Sequence, residues 1–143
     1  MVQLMAGAHD FSDQQVQAAI NFVVEHGAEN RGQTVYYTQV FAEAGLPDPQ
    51  LLHQGGESKL VTRFMKAFHD ACEAADLPPL DSLVVHVAGQ RGGFPGAGYF
   101  TVNGWVDPLH PGTRPVDADH ATRSWQAEQR QCREWGDGHR RSR

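Results

Sequence analysis

Cysteine is nearly absent. Cys72 and Cys132 are the only two in 143 residues, too few for a disulfide framework and too far apart for a zinc-type pair. No stretch approaches the roughly 20 consecutive apolar residues that a membrane-spanning helix requires, so no membrane segment is expected. No basic segment followed by an apolar run opens the chain, so no secretory signal is expected and the default compartment is cytoplasmic. The eight histidines are scattered, with no two at the three- or four-residue spacing of a helical metal site. His69 and Cys72 are three apart, but Cys72 falls on the apolar side of its helix and reads as a small core residue. None of Ser12, Ser58, Ser82 and Ser124 sits in a nucleophile-elbow context. Asp117 and Asp119 flank the start of a helix, where the dipole favours carboxylates. The expectation is a non-enzymatic protein without cofactor or metal.

What is present suits a folded domain. Hydrophobic residues make up 40% and charged residues 20% of the chain, a balance typical of a globular protein and unlike that of a disordered one. Charge is unevenly spread. The total is –5, but residues 120–143 carry six arginines against Glu128, Glu134 and Asp137. The tail is therefore net positive and the body strongly acidic. A body of that sign argues against indiscriminate phosphate binding, because non-specific affinity comes from neutralising phosphates. Any nucleic-acid contact must come from a local basic stripe, from the tail, or from both.

Along the chain, residues 1–10 read as a loose lead-in. Ser12 and Gln15 form a capping-box pattern, with Phe11 and Val16 placed for a hydrophobic staple. A helix from about Asp13 to His26 follows, stopped by Gly27. Gly32-Gln33-Thr34-Val35-Tyr36-Tyr37, with β-branched and aromatic residues in a short run, suits a small strand. Thr38 caps a short helix through Glu43, ended by Gly45, and Leu46-Pro47-Asp48-Pro49 is a rigid turn. Residues 50–57 are ambiguous between a helical turn at Leu51-Leu52 and a break at Gly55-Gly56.

The chain is organised around 58–100. Ser58 caps a long helix lasting to about Ala75, with Leu60, Phe64, Phe68 and Ala71 on one side and Lys59, Arg63 and Lys66 on the other. Pro78-Pro79 breaks it. The apolar run Leu83–Val87 predicts a strand, Gly89–Gly98 a glycine-rich tip, and Tyr99–Val102 a return strand. The fold class expected is α+β: a winged helix-turn-helix core of three helices and a two- to three-stranded β-wing, with an additional C-terminal helix. The predicted organisation is a winged-helix domain at 11–104, a proline-rich linker at 105–117, a helix at 118–136 ended by Gly136, and a disordered basic tail at 137–143.

Two segments carry a resemblance. Gly32-Gln33-Thr34-Val35-Tyr36-Tyr37 leads into Ala44-Gly45-Leu46-Pro47, and the 58–75 helix is followed by Pro79, Leu83-Val84-Val85 and a glycine-rich loop. Residues 32–100, about half the chain, thus resemble the winged-helix DNA-binding domain of the alkylguanine-DNA alkyltransferases and their catalytically inactive alkyltransferase-like relatives. The resemblance implies a recognition helix at 58–75. The family's Pro-Cys-His-Arg motif is replaced here by Pro79-Leu80-Asp81-Ser82. Alkyl transfer needs a thiolate beside a base, and Leu80 can be neither. Even the inactive relatives keep a His-Arg pair that this chain lacks.

The candidate DNA-binding residues are Ser58, Lys59, Thr62, Arg63 and Lys66 on the helix, and Gln90 and Arg91 on the wing. Arginine can read guanine in a major groove while lysines hold phosphates, and Arg91 on a glycine-rich tip can reach a minor groove or phosphates. The blander reading of the stripe is the solvated face that any amphipathic helix needs. The partner expected is double-stranded DNA. The alternative is a protein-interaction module, such as a mobile-element protein that binds and inhibits a host factor. In that reading Phe94 is a contact knob, and Trp125 and Trp135 form a partner or homodimer surface, unless the two tryptophans simply pack back on the domain.

Overall fold

The computed structural model describes residues 11–49, 58–87, 91–109 and 115–142. Helix α1 spans Asp13–Val23, β1 Val35–Tyr36, α2 Tyr37–Glu43, α3 Ser58–Ala74, β2 Val84–Val85, α4 Ala97–Val102 and α5 Pro115–Arg141. The class is α+β, mostly helical, with a single two-stranded sheet among the described residues.

Local chemistry sets most of the boundaries. The Ser12 hydroxyl accepts from the Gln15 amide at 3.3 Å, and the Gln15 side chain accepts from the Ser12 amide at 2.9 Å, so the capping box forms. Phe11 packs edge-on against Phe64 of α3, which ties the start of α1 to the core. Val16, Ala19, Ile20 and Val23 turn inward. The helix then widens into a π turn over Val24–Ala28. Gly27 lies inside that turn, where an added Cβ would meet Leu83 at 3.2 Å, so this glycine permits close packing and is not a stop. Helix α2 begins at Tyr37, one residue before Thr38. It ends at Gly45 with φ +74°, a backbone state that glycine adopts without a Cβ penalty. The inward face of α3 is Leu60, Phe64, Phe68 and Cys72. The helix closes with the Leu77 amide bonded to the Cys72 carbonyl at 2.9 Å, just before Pro78-Pro79.

The two strands pair in parallel, Val35 with Val84 and Tyr36 with Val85. This corrects the expected hairpin wing. The predicted return strand Tyr99–Val102 is helical, as α4. Tyr99 and Phe100 are adjacent and both buried, whereas consecutive strand residues point to opposite faces. A helical turn lets both rings reach apolar neighbours. The loop before α4 returns to His86 through an isolated parallel bridge with Gly92, with hydrogen bonds from His86 N–H to Phe94 O at 2.9 Å and from Gly93 N–H to His86 O at 2.8 Å.

The C-terminal helix also departs from expectation, running through Gly136 to Arg141, so residues 137–141 are helix and not a disordered tail. Its start lies within the expected proline linker, at Pro115, a residue that tolerates the first helical position well. Helix α5 crosses the 3-10 turn Leu80–Leu83 and the π turn. Trp125 Nε1–H donates to Ser82 O at 2.8 Å, Gln129 Nε2–H donates to the same oxygen at 3.3 Å, and Cys132 Sγ–H donates to Pro79 O at 3.1 Å. At the far end His139 Nδ1 pairs with buried Glu29 at 2.5 Å. A main core of α1, α2, α3 and the 3-10 turn joins a smaller cluster of Val85, Tyr99, Phe100, Ala121 and Trp125. Among the described residues, no helix is long and apolar enough to cross a membrane.

Candidate functional site

Between α3 and α4 lies a cavity of about 360 Å3, at the small end of ligand-sized pockets. Helix α3 supplies Val61, Thr62, Met65 and Lys66. Helix α4 and the glycine before it form the opposite wall, Tyr37 and His86 stand at one side, and Asp81 of the 3-10 turn completes the lining. The walls follow from the amphipathic register of α3. Val61 and Met65 flank its buried stripe and are half-buried: they pack against the edge of the main core and also line the space toward the neighbouring short helix.

Asp81 is the unusual member. Its side chain is 4% exposed, and Oδ2 lies 2.9 Å from His69 Nδ1. Oδ1 is buried with no hydrogen-bond partner. A buried carboxyl oxygen lacking a donor costs about 1–3 kcal/mol. The hydrogen bond to Asp81 holds the His69 imidazole above the usual histidine range, against the opposing effect of burial. Tyr37, whose ring lies 4.6 Å from that of His86, accepts a hydrogen bond from the Gly96 amide at 2.9 Å. Burial pushes its phenol up to about 12. Tyr99 donates to Glu128 at 2.5 Å, and burial raises the Glu128 carboxyl.

The Leu80-Asp81-Ser82 segment thus divides its labour. Leu80 is fully buried in the core. Ser82 anchors α5 through its carbonyl, and Asp81 faces the cavity. Sequence reading treated this segment only as the loss of a reactive motif and missed Asp81 as a site residue. The available signal was a lone acid inside the apolar run from Leu77 to Val87, since unpaired carboxylates are rarely fully buried.

The predicted site residues separate. Thr62, Arg63 and Lys66 are exposed on one side of α3, as the stripe predicts. Lys66, however, bonds Asp70 at 2.9 Å across one helical turn. The side chains of Ser58 and Lys59, and all of Gln90, lie outside the described residues. Arg91 does not project from a wing. It forms a two-pronged pair with Asp107, at 2.9 and 3.0 Å, and donates twice more to Pro95 O. Its guanidinium holds the loop against the segment after α4. Trp125 is buried against Phe94, with ring centroids 5.2 Å apart, so it packs back on the domain and is not available as a partner surface. Trp135 is half-buried and stacks on His139 at 4.5 Å.

His69, Asp70 and Glu73 bring one potential ligand atom each to within 4.8 Å of one another, a grouping that a search for histidine pairs does not find. Asp70 is taken up by Lys66, and Nδ1 of His69 by Asp81, so the trio belongs to an ion-pair network along α3. The two thiols are buried, and desolvation pushes each up to about 12, far from the thiolate needed for nucleophilic chemistry at neutral pH. Comparison with family models, with curated proteins and with solved structures returns no match to this chain.

Proposed function

We propose that the chain is a non-enzymatic DNA-binding module of helix-turn-helix type, suited to a regulatory role. In this reading α3 lies against the duplex and the loop 91–96 occupies the position of a wing. The observation that supports it is the exposed trio Thr62, Arg63 and Lys66 on the face of α3 opposite Leu60, Phe64 and Phe68. On that face, Arg63 would read or hold the duplex and Lys66 would exchange Asp70 for a phosphate. Arg91 supports the loop's shape and would not be a direct clamp. With a net charge of –5, binding would rest on few phosphate contacts and would have a shallow salt dependence. A mobility-shift titration at several salt concentrations tests the reading. Low-salt duplex binding that weakens on Arg63→Ala and Lys66→Ala supports it. No binding to any duplex, or binding indifferent to both substitutions, overturns it.

A second reading, a protein-interaction module that inhibits a host factor, draws support from a different set of residues. Tyr36, Val87 and Val102 are large apolar side chains at 38%, 47% and 36% exposure, and the Lys66–Asp70 pair lowers the net positive charge of α3. A partner retained from nuclease-treated lysate, and lost on Tyr36→Asp or Val87→Asp, would favour it over the first.

A further inference from the structure

We propose that the cavity between α3 and α4 binds a small organic cation, a compact apolar or aromatic body bearing one amidinium or primary ammonium group, with Asp81 as the anchoring acceptor. The proposal does not rest on DNA binding, and it would survive failure of that reading.

Three observations converge. The cavity of about 360 Å3 is lined on α3 and α4 mainly by apolar side chains, among them Val61, Met65 and Val102. A ligand body there would be held chiefly by displacing water from apolar surface. Asp81 belongs to the same lining, is almost wholly buried, and keeps Oδ1 without a donor inside the protein. Packing alone does not account for a carboxylate at this position, since a half-paired buried charge is more costly than an apolar residue of similar volume. An N–H group delivered by a ligand completes its coordination.

The surrounding charges favour a cation over a neutral donor. Of the nearby cationic side chains, Lys66 is bound to Asp70 and Arg91 to Asp107. His69 occupies Oδ2, and Oδ1 is buried without a hydrogen bond. Glu73 lies 3.8 Å from His69, and Glu128 lies behind Tyr99. The rings of Tyr37, His86 and Tyr99 line the same space, and aromatic faces attract a desolvated cation. An anionic ligand would meet the Asp81 carboxyl while His69 and Lys66 are already engaged by Asp81 and Asp70.

Benzamidine is a suitable probe, with benzyl alcohol as a neutral and benzoate as an anionic comparison of similar size. Titration calorimetry on the full chain should give benzamidine binding at least about tenfold tighter than benzoate near neutral pH, a difference of about 1.4 kcal/mol. The Met65 methyl resonance should shift on saturation. Asp81→Asn should bring benzamidine down to the level of benzyl alcohol. Val102→Trp adds bulk at an exposed residue of the cavity lining and should weaken benzamidine by about tenfold or more. If Asp81→Asn fails to fold, Val102→Trp carries the test alone. Equal affinity for benzamidine and benzoate, no saturable benzamidine binding, or binding unchanged by Val102→Trp would each overturn the proposal.

Discussion

Gly136, in the C-terminal part of α5, lies directly against the backbone of Ala28: a Cβ added to Gly136 would stand 1.9 Å from the Ala28 carbonyl oxygen and 2.9 Å from the amide of Glu29. No rotamer relieves such a contact, because both partners are main chain. The helix and the π turn meet at the closest distance that two backbones allow.

Gly136→Ala should therefore destabilise the fold by about 3 kcal/mol or more, at the severe end of single substitutions. Gly138→Ala, two residues on, meets nothing within 4 Å and should stabilise the helix by about 0.5–1 kcal/mol through reduced chain entropy. Urea denaturation of the two variants checks both signs. Equal effects would mean that the close approach is absent in solution.

The His69–Asp81 pair makes stability depend on pH. The imidazole is held above its ordinary value by the hydrogen bond to Asp81. The stability it contributes is complete below the unfolded histidine value, near 6.5, and is lost as pH rises through the raised folded value. Between about pH 6 and 8, unfolding free energy should fall with pH in the native chain and fall less in His69→Gln. Burial raises Glu128 in the same sense, but a carboxyl acts mainly in the acid range, so the histidine variant isolates the neutral component. Parallel profiles for the two proteins would refute the coupling.

Arg91 and Asp107 should behave as a unit. Each partner of the pair is mostly buried, at 20% and 16% side-chain exposure, and the fork geometry is one that lysine cannot reproduce. Removing either side chain should cost about 2 kcal/mol. The double variant should cost clearly less than the sum, a coupling measured by a double-mutant cycle on thermal unfolding. Arg91→Lys should recover less than half of the loss.

Cys72 and Cys132 should resist alkylation while the chain is folded, since both are buried and their thiols lie near 12. Labelling by iodoacetamide, followed by mass spectrometry across a denaturant series, should track global unfolding at both sites. Fast labelling of either thiol in native buffer would contradict this arrangement.

The elements readable in the sequence are those whose signals are local. Ser12 and Gln15 satisfy each other's backbone groups within one turn, Gly45 supplies a left-handed state that its neighbours do not, and the four-residue spacing of Leu60, Phe64 and Phe68 marks a buried helix face, which Cys72 continues more deeply than the expected Ala71. The misreadings concern residues whose meaning depends on distant chain. Gly136 carries the same composition signal whether it ends a helix or lets one touch the π turn. Tyr99-Phe100-Thr101-Val102 has strand propensity, yet the two rings find buried surroundings only as a helix facing Ala121 and Trp125. Asp81 looked like an inert replacement in a lost motif. Its burial beside His69 and the cavity comes from packing α3 against the 3-10 turn, which no local pattern encodes.

The parallel pairing of Val35 with Val84 bears on the order of folding. Its ladder is only two residues long, and the chain between its strands includes both α2 and α3. Closing so long a loop for so few hydrogen bonds is unfavourable on its own. The strands are therefore expected to meet only after α3 has docked its phenylalanines and the 3-10 turn has set Val84 in place. Such a dependence on non-local contact slows folding relative to a simple helical bundle. If the sheet closes late on a collapsed helical core, substitutions at Val35 and Val84 should change the unfolding rate far more than the folding rate.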